Sequence, residues 1–490
     1  MSTRRVVHGI ACVPRTDRAP RVPRNRPPRF LWARLAALFL LAGLTPHNAL
    51  AQDAHYWQET YGTRAQLLGG LVIGSQVDIS AVFYNPGALT FGATKELAVA
   101  GNAYRYTSIT YKNADGGSKD LTSSGLNAVP SLFAGALSLG SSDKNRFAYS
   151  VLSRYSANVD VQGHGLPIDT LFGVGNLPYA AGDVHLVENL SEYWAGFSYA
   201  RVLTPHIGVG ITPFFAVRSQ DGRLESQITA LNAAGAAAYE GRDVSFSYSN
   251  WRILAKLGMS VQYPRWSAGL TITTPSGRLF GSGQVVRNIN GVDQGIAGNG
   301  PTPPYIANNF QQNLTANYKS GASVGFGGSF TFGDSVTPST IHVAGEWFAP
   351  VDQNAILDPA PFTPQTGGAQ VTGQVVEKLN SVFNAGGAFE HKFSGAWGAY
   401  GSFRTDQSSA TSEVNNAALS RWNITHVTGG VSFGFGRNEF VLGTDIGFGS
   451  FTQPENRGNV PEGTPVLAEG SIISYKDITF IVGYRFASSF

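Results

Sequence analysis

The segment Asp477–Phe490 constrains the fold more than any other stretch of the chain. Ile478, Phe480, Val482, Tyr484, Phe486 and Phe490 occupy alternate positions, with Asp477, Thr479, Gly483, Arg485 and Ser489 between them. A β-strand sends successive side chains to opposite faces, so this segment is a strand with one apolar and one polar face. Such a strand suits either the last strand of a soluble sandwich or the closing strand of a barrel, and other segments must decide between them.

An aromatic terminal residue on an alternating strand resembles the assembly signal of bacterial outer-membrane β-barrels, and Phe490 is expected to serve as that signal. The other end of the chain agrees. Leu35–Leu44 is an apolar run too short to span a bilayer as a helix but of signal-peptide length. Arg29 and Arg34 precede it, and Ala49-Leu50-Ala51 supplies a small-x-small cleavage site. Residues 1–51 are therefore expected to be a removed signal peptide, with Gln52 the first mature residue. The Arg-rich residues 1–28 are either an extended leader or lie upstream of the true start.

Charge must be read after that removal. Residues 1–51 hold nine Arg and one Asp, so 35 basic and 32 acidic residues become 26 and 31, a net −5. The excess positive charge belongs to the leader, and no nucleic-acid partner is expected. The single cysteine, Cys12, leaves with the leader too, which suits an oxidising envelope compartment. No mature stretch approaches a transmembrane helix. Abundant glycine (59) and aromatics (12%) fit a barrel with interfacial aromatic girdles.

Fourteen alternating segments follow, at about 95–112, 126–140, 145–162, 183–203, 206–228, 243–263, 265–286, 312–333, 338–352, 378–393, 396–408, 421–436, 438–453 and 471–490. Connections after even-numbered segments are short: Ser141–Lys144, Thr204-Pro205, Pro264-Arg265, Asp334–Pro338, Ser394-Gly395 and Arg437. Those after odd-numbered segments are long and rich in Gly, Pro, Asn and Asp, as at 163–182, 287–311, 353–377 and 454–470. Short turns at one end and long loops at the other are the asymmetry of an outer-membrane barrel. The faces agree between strands. Phe147, Tyr149, Val151 and Tyr155 alternate with Ser150, Arg154, Asn158 and Asp160; Ile211 and Phe215 oppose Thr212, Arg218 and Gln220; Trp251, Ile253 and Leu257 oppose Asn250, Arg252 and Lys256. The charged face is taken as the lumen. The expected fold is all-β, a 14-stranded antiparallel transmembrane barrel spanning residues 94–490, in the cell outer membrane.

Residues 52–93 do not alternate. Tyr56, Tyr61, Ala65 and Leu68 stand at near-helical spacing, and Asp78 or Ser80 can cap a brief helix that Pro86 ends. A barrel of this girth is too wide for its own side chains to fill, so this segment is expected to be a partly helical hatch in the lumen.

Gly62-Thr63-Arg64-Ala65, Ser80–Leu89, Val129-Pro130 and Arg404-Thr405-Asp406 together make the mature chain similar to the FadL family of outer-membrane transporters for long-chain fatty acids and other hydrophobic compounds. The family's hatch motif is Asn-Pro-Ala; this chain carries Asn85-Pro86-Gly87, one small residue for another. The resemblance implies passive import: capture among the long loops, a pocket beside the hatch, and lateral release at a kinked strand.

Inward parity selects Arg154, Arg218, Arg252 and Lys256 as cations for a carboxylate headgroup, facing Glu192, Glu346, Glu390, Asp445 and Asp477 in the same lumen. Mutual ion pairing is the competing role, since buried charges need partners. Arg154 is the first choice; Arg252 and Lys256, four residues apart with no acid between, come next. Trp194, Phe246, Tyr248 and the hatch residue Phe83 are the candidate apolar contacts. No two of the seven mature histidines have metal-ligand spacing, so neither metal nor cofactor is expected. Gly430-Val431-Ser432-Phe433-Gly434 matches a hydrolase nucleophile pattern but lies in a strand with no following helix. A general diffusion porin, which has no need of a hatch, is one alternative function. A barrel-embedded lipid hydrolase is the other; its Ser–His pair would face the lipid rim, whereas Ser432 and His426 fall inward. The expectation is a non-enzymatic, monomeric importer whose partners are a hydrophobic small molecule or fatty acid, outer-membrane lipid and lipopolysaccharide, and the barrel-assembly machinery during biogenesis.

Overall fold

The structure, a computed structural model, describes residues 55–112, 120–137, 144–166, 170–171, 174–175, 179–295, 301–410, 421–452 and 472–488. The expected signal peptide and the terminal Phe490 lie outside the described residues, as does most of the Ser141–Lys144 turn.

The alternating sequence forms β1 (Lys95–Lys112), β2 (Leu121–Leu137) and β3 (Asn145–Leu166), then a minute hairpin of β4 (Thr170–Leu171) and β5 (Val174–Gly175). β6 (Tyr179–Thr204), β7 (Ile207–Leu231) and β8 (Ala237–Gln262) follow as the longest strands. Next come β9 (Trp266–Thr273), β10 (Gly277–Asp293), β11 (Thr302–Thr315), β12 (Ser323–Phe332), β13 (Ser339–Phe348), β14 (Val351–Leu357), β15 (Val375–Leu379) and β16 (Val382–Lys392). β17 (Trp397–Asp406), β18 (Ile424–Phe435), β19 (Asn438–Thr452) and β20 (Ile472–Ser488) complete the series. Sixteen of these strands make one antiparallel sheet that closes on itself, because β8 pairs with both β9 and β10. β9 and β10 are two halves of one pass, as are β11 and β12, so the sixteen strands make fourteen passes. The barrel read from the sequence is the fold, and closure leaves it no sheet edge across an apolar layer.

Burial is inverted relative to a soluble protein. Arg404 is 1% exposed and its neighbour Phe403 is 52% exposed. The same holds at Arg252 beside Ile253 and Arg218 beside Phe215, so the charged face is the inner one. Parity fails in β1, where a register shift between Asn102 and Tyr104 turns Arg105, Ile109 and Tyr111 inward after Ala98 and Ala100, and again in β3. A bulge in β3 between Ser153 and Tyr155 shifts its register against β6, turning Tyr155, Val159 and Val161 inward and leaving Asn158 and Asp160 exposed. One inserted residue reverses every later side chain. The same region has an interrupted seam: β2 pairs with β3 only from Leu132↔Leu152 to Leu137↔Phe147, and beyond it Asp160 N donates to Ser123 Oγ at 3.0 Å.

A second departure is larger. Four consecutive passes break at one level, at 274–276, 316–322, 349–350 and 380–381. Above the breaks β10 stays on β8 and carries β11, so much of the expected 287–311 loop is strand. β14 and β15 pair with each other and leave the barrel sheet. The free edge of β11 is covered by the following loop, where Gln365 N donates to Ile306 O at 2.9 Å and Gln311 Nε2 to Ala360 O at 2.7 Å. β15 is buried along Val375, Val376, Glu377 and Leu379.

Glu377 lies off the spanning strands and is 1% exposed. Burial pushes its carboxyl up to about 7, against the pull of the Arg218 guanidinium and the Lys319 backbone N–H. A raised carboxyl favours the packed state below its ordinary value near 4.5, and that contribution is lost as pH rises through about 7. The β14–β15 hairpin should therefore exchange its amides more slowly at pH 5 than at pH 8, after correction for intrinsic rates. Glu377→Gln should remove that pH dependence.

Candidate functional site

The site is built on the N-terminal segment, which starts from Asp78. Its Oδ2 accepts from Thr63 N (2.9 Å) and Ala65 N (3.0 Å), opening helix α1 (Arg64–Leu67); its Oδ1 accepts from Ser80 N (2.9 Å), just before α2 (Ala81–Tyr84). One carboxylate thus satisfies amides of two helices too short to hold themselves. Asp78, not Ser80, supplies the side-chain bonds, and Pro86 opens a 3₁₀ helix, Pro86–Phe91, rather than only ending one.

Asn85 caps that helix by accepting from Gly87 N (3.1 Å), while its amide donates to Ile73 O (2.7 Å) and to Met259 O of β8 (2.9 Å). Gly87 lets the backbones meet: a Cβ there would stand 2.7 Å from Gly258 O and 2.8 Å from Gly208 O. The Arg404-Thr405-Asp406 motif grips the other end. Arg404 Nε donates to Trp57 O (3.2 Å) and Asp406 Oδ1 accepts from Trp57 N (3.0 Å), so both polar groups of that residue's backbone are bound. The segment packs on strands all round the ring, with Leu67 against Gly430 and Gly443, and Ile73 against Gly325 and Gly327.

Between segment and wall lies a cavity of about 60 Å³, lined by Tyr56, Trp57, Phe83, Arg154, Tyr155 and Trp194 on one side and Lys256, Tyr318, Glu346 and Phe348 on the other. An apolar cavity holding benzene measures roughly 150 Å³, so a ring-sized ligand needs neighbours to move. The Tyr56 and Phe348 rings stack at 4.0 Å.

The four expected cations separate here. Glu192 pairs with Arg218 (3.1 Å) and Arg252 (2.6 Å) and accepts from Trp194 Nε1 (2.6 Å). Glu346 pairs with Lys256 (3.5 Å) and accepts from Trp57 Nε1 (3.0 Å) and Ser323 Oγ (2.6 Å). Arg252 and Lys256 are therefore not the surplus charge that their spacing suggested; acids on other strands reach both. Arg154 differs. Its Nη2 donates to Tyr56 O at 2.9 Å, its guanidinium lies 4.7 Å from the Tyr155 ring centre, and no carboxylate among the described residues is in salt-bridge range. Its Nη1 has no hydrogen-bond partner there.

Trp194 and Phe83 line the cavity as expected, but Phe246 and Tyr248 do not. They belong to a cluster with Ile356 and Leu357 of β14, and Tyr248 Oη is tied to Arg218 and Gln220. Sequence reasoning missed Tyr155, which parity faced outward, and Tyr318, which lies in the break between β11 and β12. Tyr318 sits 4.0 Å from the Arg218 guanidinium. It also missed a convergence of His426, Asp445 and Asp477 from three strands. Arg404 holds Asp445 in a fork at 2.9 and 3.0 Å and His426 Nδ1 adds 3.0 Å, so this cluster is an ion-pair network behind the Trp57 grip. Ser432 bonds Tyr400 Oη (3.0 Å) and lies six strand residues from His426, roughly 20 Å away. That separation rules out Ser432 and His426 as a hydrogen-bonded pair.

Solved structures of the same architecture supply the comparison. The Pseudomonas putida toluene transporter TodX is 14% identical, with 88% of this chain and 99% of that chain covered and a TM-score of 0.55. The Chain has the FadL-type fold. A Pseudomonas aeruginosa FadL homologue is 10% identical over 89% of this chain and 100% of its own, with TM-score 0.54. The Ralstonia pickettii toluene transporter TbuX is 14% identical over 88% and 98%, with TM-score 0.52. No family model and no curated protein sequence matches the chain. The FadL-type fold agrees with the resemblance carried by Asn85-Pro86-Gly87 and Arg404-Thr405-Asp406.

Asn85→Ala removes three hydrogen bonds and orphans two carbonyls, at about 1–3 kcal/mol for each buried group. No strand ladder is touched. The variant should keep the heat-modifiable folded band on gels, while trypsin cleaves faster after Arg64. Loss of the folded band would make the motif a requirement of the barrel itself.

Proposed function

We propose that this chain is an outer-membrane importer of hydrophobic molecules, with residues 52–93 as its hatch. The observation that carries the reading is the cavity beside that segment, walled by aromatic rings and holding a guanidinium, Arg154, that has no carboxylate partner among the described residues. A wide aqueous pore has no use for buried Trp, Phe and Tyr; an apolar ligand does, at about 25 cal/mol per Å² of surface removed from water. The toluene transporters and the FadL homologue of like fold support a hydrophobic cargo. The long loops face outward in this reading and the short turns face the periplasm.

Release is proposed to be lateral, through the seam where the β2–β3 ladder stops beyond Leu132↔Leu152. The bulge at Ser153–Tyr155 bends β3 there and sets Arg154 and Tyr155 together at the cavity. Sideways exit spares an apolar molecule the aqueous periplasm.

Deleting residues 55–90 behind the intact leader should give a folded barrel with a raised, ohmic single-channel conductance. Conductance equal to that of the parent protein would sink the hatch. Arg154→Gln should weaken a fatty acid by about tenfold to a hundredfold, the range for a charge-assisted hydrogen bond of roughly 1.5–3 kcal/mol. The matching alcohol should bind unchanged. Equal losses for acid and alcohol would move the cargo to uncharged hydrocarbons.

A further inference from the structure

A second cavity, of about 50 Å³, lies across the N-terminal segment from the first. Tyr56, Trp57 and Glu59 line the first cavity, whereas His55 and Gln58 line the second, so one strand-thick stretch of chain separates them. Its far wall is apolar: Ile109, Val159, Ile424, Trp422 and Tyr475 belong to one buried cluster. The Trp422 and Tyr475 rings stack at 5.2 Å and 19°.

Two features make this more than a packing gap. Trp422 is 2% exposed, and its indole Nε1 has no hydrogen-bond partner among the described residues. Buried donors are nearly always paired, so an unpaired one on a cavity wall calls for an acceptor. The lining also includes Asn127 of β2 and Asn158 of β3, the latter on the outward face, so the cavity reaches the interrupted β2–β3 seam. A ligand longer than the cavity can extend into that seam. Its charge differs from that of the first cavity. No Lys or Arg is among the described lining residues, and Glu188 is; Arg421, next in the chain to Trp422, is not part of the lining.

We propose that this cavity is a second subsite, taking the ring or alkyl segment of an uncharged amphiphile whose oxygen accepts the Trp422 indole N–H, and rejecting carboxylates. The inference rests on the import reading above and divides the labour between two sites: Arg154 meets an anionic group in the first, and the second admits only neutral cargo beside the seam.

The test uses the mature protein folded in detergent micelles and labelled with 5-fluorotryptophan. Trp422→Phe and Trp194→Phe assign the ¹⁹F resonances of the second and first cavities. Benzyl alcohol should shift the Trp422 resonance saturably, and benzoate should do so with a response at least roughly tenfold weaker. Val159→Phe, which fills the second cavity without touching the indole, should abolish the Trp422 shift and leave that of Trp194. A silent Trp422 beside a responding Trp194 overturns the subsite and leaves the import reading standing. Silence at both overturns both. Equal responses to alcohol and benzoate, or a Trp422 shift that persists in Val159→Phe, overturn the proposal.

Discussion

A closed ring of fourteen strands encloses more space than its inward side chains can fill, and most of the structure answers to that fact. The N-terminal segment that packs on the wall forms only short helices, so many of its peptide groups are bound by side chains instead. Asp78 takes three backbone amides, Asn85 serves two carbonyls, and Arg404 with Asp406 takes both ends of Trp57. The wall responds with small residues, as at Gly208, Gly258 and Gly430, where a methyl group would strike the segment.

The same enclosure explains why so many charges are buried without the fold collapsing. Those on regular strands are placed by parity, and compensation crosses strands rather than running along them: Glu192 of β6 answers Arg218 of β7 and Arg252 of β8, and Glu346 of β13 answers Lys256 of β8. Removing one partner of such a set leaves an uncompensated buried charge and is costly, whereas the intact set need contribute little net stability. Arg154 is held instead by a carbonyl and by aromatic faces, which suits a cation kept available.

Much of this was legible in the sequence because period-two patterning is local. The fourteen passes, their inward charges and the short turns all follow from alternation and turn residues. Parity stopped working at Ser153–Tyr155, because a bulge is a pairing event between β3 and β6 and leaves no fixed mark in the sequence of β3 alone. Tyr318 was hidden for a related reason: segment 312–333 alternates well enough to read as one strand, yet it breaks at 316–322 where its neighbours break too. Tyr56 and Trp57 were invisible as cavity residues because a segment with no period has no readable face. Arg252 and Lys256 misled through spacing, since their counter-ions come from strands distant in sequence.

The four aligned breaks set off a collar on one side of the barrel. Below them, β9, β12, β13 and β16 belong to a continuous ladder whose opening requires disrupting the ring. Above them, the β10–β11 and β14–β15 hairpins are tied to the ring by one ladder on β8, the bridge Leu379↔Ala410 and a few loop contacts. Stability need not be uniform across such a seam, and the upper collar can open at a free energy well below that of the whole. It is therefore the part of the barrel where sequence can drift or be exchanged at least risk to membrane insertion, which depends on the ladder beneath.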